Sequence, residues 1–206
     1  MILPPATLGL LGGGQLGRYF IMAARELGYR VMVLDPDRSS PAGRIADEHL
    51  ASAYDDQHAL DHMARSCAAV TTEFESVPSA TLAYLARFVP VRPGAEAVAI
   101  CQNRSLEKGF LKRHGLPYAP YADIRSEDDV KSAHADLFPG ILKLASFGYD
   151  GKGQARVRDR DEALAAWRQL KGEACVLERQ MALDGELSVV LARDESGKTQ
   201  CFSASE

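Results

Sequence analysis

Two glycine-rich stretches carry the residue types that bind anions. Gly12-Gly-Gly14-Gln15-Leu16-Gly17 fits G-x-G-x-x-G between an apolar run and an amphipathic one. Glycines at such a turn let the backbone approach an anion, and the N–H groups that open the helix point at it with the helix dipole behind them. Asp35 ends the next apolar run, about the separation expected of a carboxylate that holds a ribose. A dinucleotide site is the first reading of this turn, and a tight strand-to-helix turn without a ligand is the bland one. The second stretch is Phe147-Gly148-Tyr149-Asp150-Gly151-Lys152-Gly153-Gln154, with Lys143 in the run before it. It is not a Walker A loop, because no G-K-[ST] ends it and no helix follows directly. A glycine hairpin with its own Lys can fold over a polyphosphate, donating N–H groups and positive charge. A bare turn needs fewer glycines.

Carboxylates stand at three further places. Thr71-Thr72-Glu73-Phe74-Glu75 closes an apolar run, and ligands of open α/β sheets bind beyond such carboxyl ends. Alternation lets only one of the pair face a site, and Glu73 is the choice. Glu178-Arg179-Gln180-Met181, followed by Asp184-Gly-Glu186, reads as a hinge offering backbone to a purine edge and a carboxylate to a ribose, although surface charge is the default there. His58 and His62 have the i, i+4 spacing of helical metal ligands but no third partner nearby, so a solvated helix face is the better reading.

These groups need elements to hold them. Residues 7–12 read as a strand, 15–28 as a helix stopped by Gly28, and 31–34 as a strand stopped by Asp35-Pro36-Asp37. A helix at 56–66, a strand at 68–72, a helix at 78–87 and the run 89–91 follow. Strands alternating with helices predict βαβ units and a parallel sheet, ending near residue 95. Residues 103–114 predict a linking helix closed by Gly115 and Pro117. Beyond it the layout is α+β: a helix from the Ser126 cap to about 136, strands at 140–144 and 154–158, a helix at 160–170 with Trp167 as a core anchor, then strands at 175–178 and 186–192. The run 200–206 reads as a strand and its exit.

The chain has 206 residues, 46% hydrophobic and 25% charged, an ordinary globular balance. Lys plus Arg is 24 against 28 for Asp plus Glu, a net charge of −4 with no long run of one sign. That excludes a nucleic-acid groove or membrane face built on bulk charge. Cys67, Cys101, Cys175 and Cys201 form no C-x-x-C pair and read as reduced, buried thiols. No signal-like N-terminus or membrane-length apolar window occurs, so a cytoplasmic address is expected.

Taken together, Gly14-Gln15-Leu16-Gly17-Arg18, Thr72-Glu73-Phe74-Glu75, Gln102-Asn103-Arg104-x-x-x-Lys108, Gly148-Tyr149-Asp150-Gly151-Lys152-Gly153-Gln154 and Glu178…Gly185-Glu186 resemble the ATP-grasp superfamily, and within it the N5-carboxyaminoimidazole ribonucleotide synthases. The resemblance runs through the whole chain in order. The related phosphoribosylglycinamide formyltransferases, an alternative, have a Ser-rich loop at the glycine hairpin. The resemblance implies a Rossmann-like pre-ATP-grasp domain at 1–95, a linker helix and ATP-grasp lid at 96–180, and the opening of the C-terminal ATP-grasp subdomain at 181–206. It implies a purine-pathway ligase that uses ATP and bicarbonate to carboxylate 5-aminoimidazole ribonucleotide through carboxyphosphate. Lys143, Tyr149 and Asp150 are then catalytic. Arg104, Lys143, Gly148 to Gln154, Glu178 to Met181 and Glu186 contact ATP. Gly14, Gln15, Leu16, Glu73, Tyr149 and Asp150 face the ribonucleotide. Phe147 stands where relatives have another glycine. Magnesium is an implied cofactor whose ligands are expected beyond Glu206, so turnover by these 206 residues alone is not expected. A homodimer is implied. An NAD-dependent oxidoreductase, resting on Gly12, Gly14, Gly17 and Asp35, is the reading from another class, and a non-catalytic nucleotide- or phosphosugar-binding fragment is the third.

Overall fold

The computed structural model describes residues 1–146 and 153–206. The first unit runs β1 (Thr7–Leu11), α1 (Gln15–Glu26), β2 (Arg30–Leu34), β3 (Glu48–Leu50), α2 (Gln57–Ser66), β4 (Ala69–Thr72), α3 (Ser79–Leu85) and α4 (Ala95–Cys101). Its strands lie in the order β3-β2-β1-β4, all parallel, with Leu8 opposite both Val31 and Ala69. Side-chain alternation splits the central strands between two cores. Leu10, Val31 and Val33 meet Ile21 and Ala24 of α1 on one face. Leu11, Met32 and Leu34 meet Leu60, Met63, Leu82, Leu85 and Val98 of α2, α3 and α4 on the other. Burial on both sides is why these strands read as unbroken apolar runs. Gly28, at φ +84°, ends α1, its N–H donating to Arg25 O while Tyr29 N–H reaches Ala24 O. Asp56 caps α2 by accepting from His58 N–H and Ala59 N–H.

The second unit runs α5 (Arg104–Arg113), β5 (Tyr121–Ile124), α6 (Glu127–Ser132), a 3₁₀ turn at Ala135–Leu137, β6 (Gly140–Leu144), β7 (Gln154–Val157), α7 (Arg160–Gln169) and β8 (Cys175–Arg179). The sheet is antiparallel, order β5-β8-β6-β7. One face sets Ile124, Leu142, Val157, Cys175 and Leu177 against Val130, Ala163 and Ala166. Ser126 and Asp159 cap α6 and α7 by accepting from Asp129 N–H and Glu162 N–H. A hairpin of β9 (Leu191–Arg193) and β10 (Thr199–Cys201) closes the described chain.

The parallel sheet of the first unit and the α+β layout of the second are those the spacing predicts, with local differences. β3 and β5 are edge strands of three and four residues whose charged or mixed sequences, Glu-His-Leu and Tyr-Ala-Asp-Ile, lack a clean apolar run. α4 escapes notice because only Val98 of its seven residues is buried. α6 stops at Ser132 rather than near 136, since Ala133 turns extended and the 3₁₀ turn carries Leu137 into the core. The strand expected over 186–192 shrinks to Leu191–Arg193 plus a bridge from Ser188 to Ser205. Leu187, Val189, Val190 and Leu191 are exposed, and among the described residues no core receives them. Trp167 is a flank of the second core, its Nε1–H donating to Glu173 O. Cys67 and Cys175 are buried, whereas Cys101 and Cys201 are exposed.

Candidate functional site

The glycine turn between β1 and α1 is filled from within. Asp35, just past β2, accepts Gly13 N–H at 2.7 Å and Tyr54 O–H at 2.8 Å on one carboxylate oxygen, and Asp37 N–H at 2.8 Å on the other. Glu73, just past β4, accepts Gly14 N–H at 2.9 Å. Parallel pairing of β1 with both neighbours brings these two strand exits to the same turn. No side chain of α1 itself caps the helix and its first turn has no acid, so two carboxylates from distant sequence supply the negative charge its N-terminus favours. Glycine is required here for space: a Cβ on Gly14 would enter the Glu73 carboxylate, and one on Gly13 would come within 3 Å of Ser40 and Asp35. Burial, the hydrogen bond to Asp35 and that carboxylate's charge raise the Tyr54 phenol well above its usual value. Gln15 and Leu16 lie exposed at the helix start. Glu75 is exposed and away from the turn, its carbonyl accepting from Gln102 Nε2.

This geometry overturns the dinucleotide reading. Two of the N–H groups that would cradle a pyrophosphate, those of Gly13 and Gly14, already hold carboxylates, and a polyphosphate would have to displace both against like charge. Asp35, assigned to a ribose on that reading, is the residue that occupies Gly13.

The second site lies on the sheet face opposite the second core. Lys143 stands opposite Val176, and Glu178 opposite Ile141, so the two are diagonal neighbours on one face of the β6–β8 pair. Lys143 Nζ donates to Glu178 Oε2 at 2.8 Å, and Lys108 Nζ of α5 lies 3.4 Å from Glu178 Oε1. Burial pushes the Glu178 carboxyl up, but the hydrogen bond and charge of Lys143, with the charge and hydrogen bond of Lys108, hold it below its ordinary value. Asn103 caps α5 by accepting Leu106 N–H, and Arg104 N–H donates to Ala145 O at 2.8 Å, tying the helix start to the end of β6. Arg104 and Lys108, four residues apart, share a helix face.

Gly153, at φ +72°, begins the return strand, its carbonyl accepting Leu144 N–H, and Gln154 pairs across from Lys143. Both therefore flank the lysine. Phe147, Gly148, Tyr149, Asp150, Gly151 and Lys152 lie outside the described residues. At the hinge the Glu178 side chain points inward at the lysines. Arg179 N–H and Gln180 N–H are already donated to Pro120 O and Pro139 O. Arg179, Gln180, Met181 and Glu186 are exposed. Sequence reasoning gave Lys108 and Tyr54 no role. The Arg104-x-x-x-Lys108 spacing was a usable signal for the first, whereas nothing in the sequence links Tyr54 to the turn.

Two family models match the chain: a ribonucleotide synthetase preATP-grasp domain over residues 5–102 and an ATP-grasp domain over 109–206. The N5-carboxyaminoimidazole ribonucleotide synthase of Pseudomonas aeruginosa is 39% identical over 196 residues, covering 95% of this chain and 54% of the relative. A crystal structure of the ADP complex of an N5-carboxyaminoimidazole ribonucleotide synthetase superposes with TM-score 0.92 at 36% identity, covering 99% of this chain and 54% of that one. The Aspergillus clavatus N5-carboxyaminoimidazole synthase, in complex with ADP and 5-aminoimidazole ribonucleotide, gives TM-score 0.79 at 26% identity over 97% of this chain and 52% of that one. The chain thus spans about half the length of the relatives it matches.

Proposed function

The chain belongs to the N5-carboxyaminoimidazole ribonucleotide synthase family of ATP-grasp proteins, and from that we propose that it supplies the ATP phosphate pocket and one wall of the ribonucleotide pocket of such a synthase. In the proposed reaction ATP phosphorylates bicarbonate, giving carboxyphosphate and ADP. Carboxyphosphate releases CO2 and phosphate, and the exocyclic amine of 5-aminoimidazole ribonucleotide takes up the CO2 as N5-carboxyaminoimidazole ribonucleotide.

The observation that carries this reading is the convergence of Lys143 and Lys108 on the single carboxylate of Glu178, beside the start of α5. Two ammoniums against one carboxylate leave net positive charge at the end of β6, which suits a polyphosphate. Lys143 and Arg104 hold phosphate oxygens, with Gly153 and Gln154 beside them, and Gly148 to Lys152, outside the described residues, contact ATP as well. The segment Glu178 to Met181 meets the adenine, and Glu186 the ribose. Gln15, Leu16 and Glu73 face the aminoimidazole ribonucleotide across the Gly14 turn, with Tyr149 and Asp150 approaching from the loop. The task of these residues is to neutralise charge, hold geometry and exclude water from a labile carboxyphosphate. Magnesium is part of the family expectation, but among the described residues no group of three or more His, Cys, Asp or Glu side chains could hold a metal, and no step is assigned to it. No helix among them is long and apolar enough to cross a membrane. A cytoplasmic address and a homodimeric assembly complete the proposal.

Calorimetric titration with ADP and, separately, with 5-aminoimidazole ribonucleotide tests the assignment of the two pockets. Lys143→Ala should weaken ADP and leave the ribonucleotide unchanged, and Glu73→Ala should do the reverse. Equal losses from both variants would refute the division.

A further inference from the structure

Lys108 sits one helical turn beyond Arg104, and the family motif gives it no task. Its side chain is 12% exposed, that of Glu178 10%, and that of Lys143 19%. The carboxylate therefore has little water to fall back on if a lysine leaves. A buried ion pair that loses one partner is strongly destabilised, because the remaining charge is neither solvated nor neutralised. On the reading above, Lys143 has two claims on its ammonium: Glu178 in the empty protein and phosphate oxygens in the loaded one.

We propose that Lys108 is a positioning residue for the nucleotide, the fixed counter-ion of Glu178 that frees Lys143 to turn to the phosphates without stranding a buried carboxylate. The geometry separates the two lysines. Lys143 takes one carboxylate oxygen and Lys108 the other, so neither blocks the other and one can leave alone. Lys143 lies in β6, at the root of the glycine hairpin, where a phosphate would arrive. Lys108 is held back. Its helix is tethered to the end of β6 by Arg104 N–H to Ala145 O, by Asn103 Nδ2–H to Ser146 Oγ at 3.1 Å, and by the Asn103–Ser146 bridge. Glu178 is thereby a resting place for Lys143, and Lys108 makes departure cheap.

The inference rests on the proposed ATP site, and the test keeps the two apart. The full chain, Lys108→Met, Lys108→Arg, Glu178→Gln and the Lys108→Met/Glu178→Gln double variant are titrated with ADP, and their melting midpoints are measured without nucleotide. Lys108→Met should bind ADP roughly ten-fold or more weakly, with its nucleotide-free midpoint little changed because Lys143 still pairs Glu178. Lys108→Arg should recover most of the affinity. In the Glu178→Gln background no carboxylate needs a counter-ion, so removing Lys108 should cost no further affinity. Equal cost in both backgrounds would mean that Lys108 touches the nucleotide directly, which overturns the proposal. So would unchanged affinity in Lys108→Met, or a large fall in its nucleotide-free midpoint, which would make the residue a structural tie. An unsubstituted chain that binds no ADP refutes the ATP reading itself.

Discussion

Replacing Asp35 by Asn tests whether a carboxylate from β2 holds the glycine turn. Asp35 accepts three hydrogen bonds, from Gly13 N–H, Tyr54 O–H and Asp37 N–H. Hydrogen bonds to a charged group contribute about 1.5–3 kcal/mol and neutral ones about 0.5–1.5 kcal/mol. The Asn oxygen can keep Gly13 and Tyr54 as neutral bonds, each weaker by about 1 kcal/mol, while its NH2 turns donor against the exposed Asp37 N–H. The turn should therefore loosen by about 2 kcal/mol, equivalent to roughly thirty-fold in a local opening equilibrium. Amide hydrogen exchange resolves this residue by residue. Gly13 should exchange roughly thirty-fold faster in Asp35→Asn and about ten-fold faster in Tyr54→Phe, which removes one charged bond. Gly14, held by Glu73 instead, should change much less in both and respond to Glu73→Gln. Gly13 exchange within two-fold of the parent in Asp35→Asn would refute the clamp.

Other consequences are quicker to check. At pH 8 a thiol reagent should modify Cys101 and Cys201 promptly but Cys67 and Cys175 only on unfolding, because burial pushes the Cys67 thiol up to about 12 and the Cys175 thiol up to about 11. Four fast thiols would contradict the packing. Because the Glu178 carboxyl is depressed in the folded state, its pairing stabilises the second unit above the unfolded carboxyl value of about 4.3 and is lost as pH falls through the folded value. Urea midpoints measured at pH 7 and pH 3.5 should therefore differ less in Glu178→Gln than in the parent, and an identical loss would exclude Glu178 as a source of acid sensitivity. The Ser40 hydroxyl is buried without a hydrogen-bond partner among the described residues, so Ser40→Ala should leave the melting midpoint equal or higher. A loss above about 1 kcal/mol would show that the hydroxyl has a partner.

Where a segment's own residues decide its conformation, the sequence is readable. The runs at β1 and β2 and the capped starts at Asp56 and Ser126 are local signals, and the structure places elements there. Short edge strands are not readable in this way, because β3 and β5 exist by pairing with a neighbour rather than by their own pattern. The strand expected at 186–192 fails from the opposite cause: an apolar run is present, but among the described residues its exposed side chains have no core to enter. At the sites, residue types were legible and partners were not. Glu178 looked like a hinge carboxylate, yet its place in a central strand turns it inward onto lysines from two other elements.

The same limit explains how a glycine motif points to the wrong ligand. G-x-G-x-x-G specifies a tight turn with N–H groups presented at a helix start, and that much is local. Whether those groups meet a phosphate depends on what the neighbouring strands deliver, and here Asp35 and Glu73 arrive from 22 and 59 residues away. Once two carboxylates fill it, the turn's ligand preference is inverted: the rim carries negative charge and accepts donors such as an amine or hydroxyls. Net positive charge, which suits a polyphosphate, lies instead in the second unit, where Lys108 and Lys143 outnumber Glu178. On the proposed reading, the opposite charge of the two sites sorts two anionic ligands by the end each presents: phosphates to the lysines, and the uncharged, donor-bearing end of the other to the carboxylates. Reversing the sign at either site, rather than trimming contacts, is therefore the change that should most damage discrimination between them.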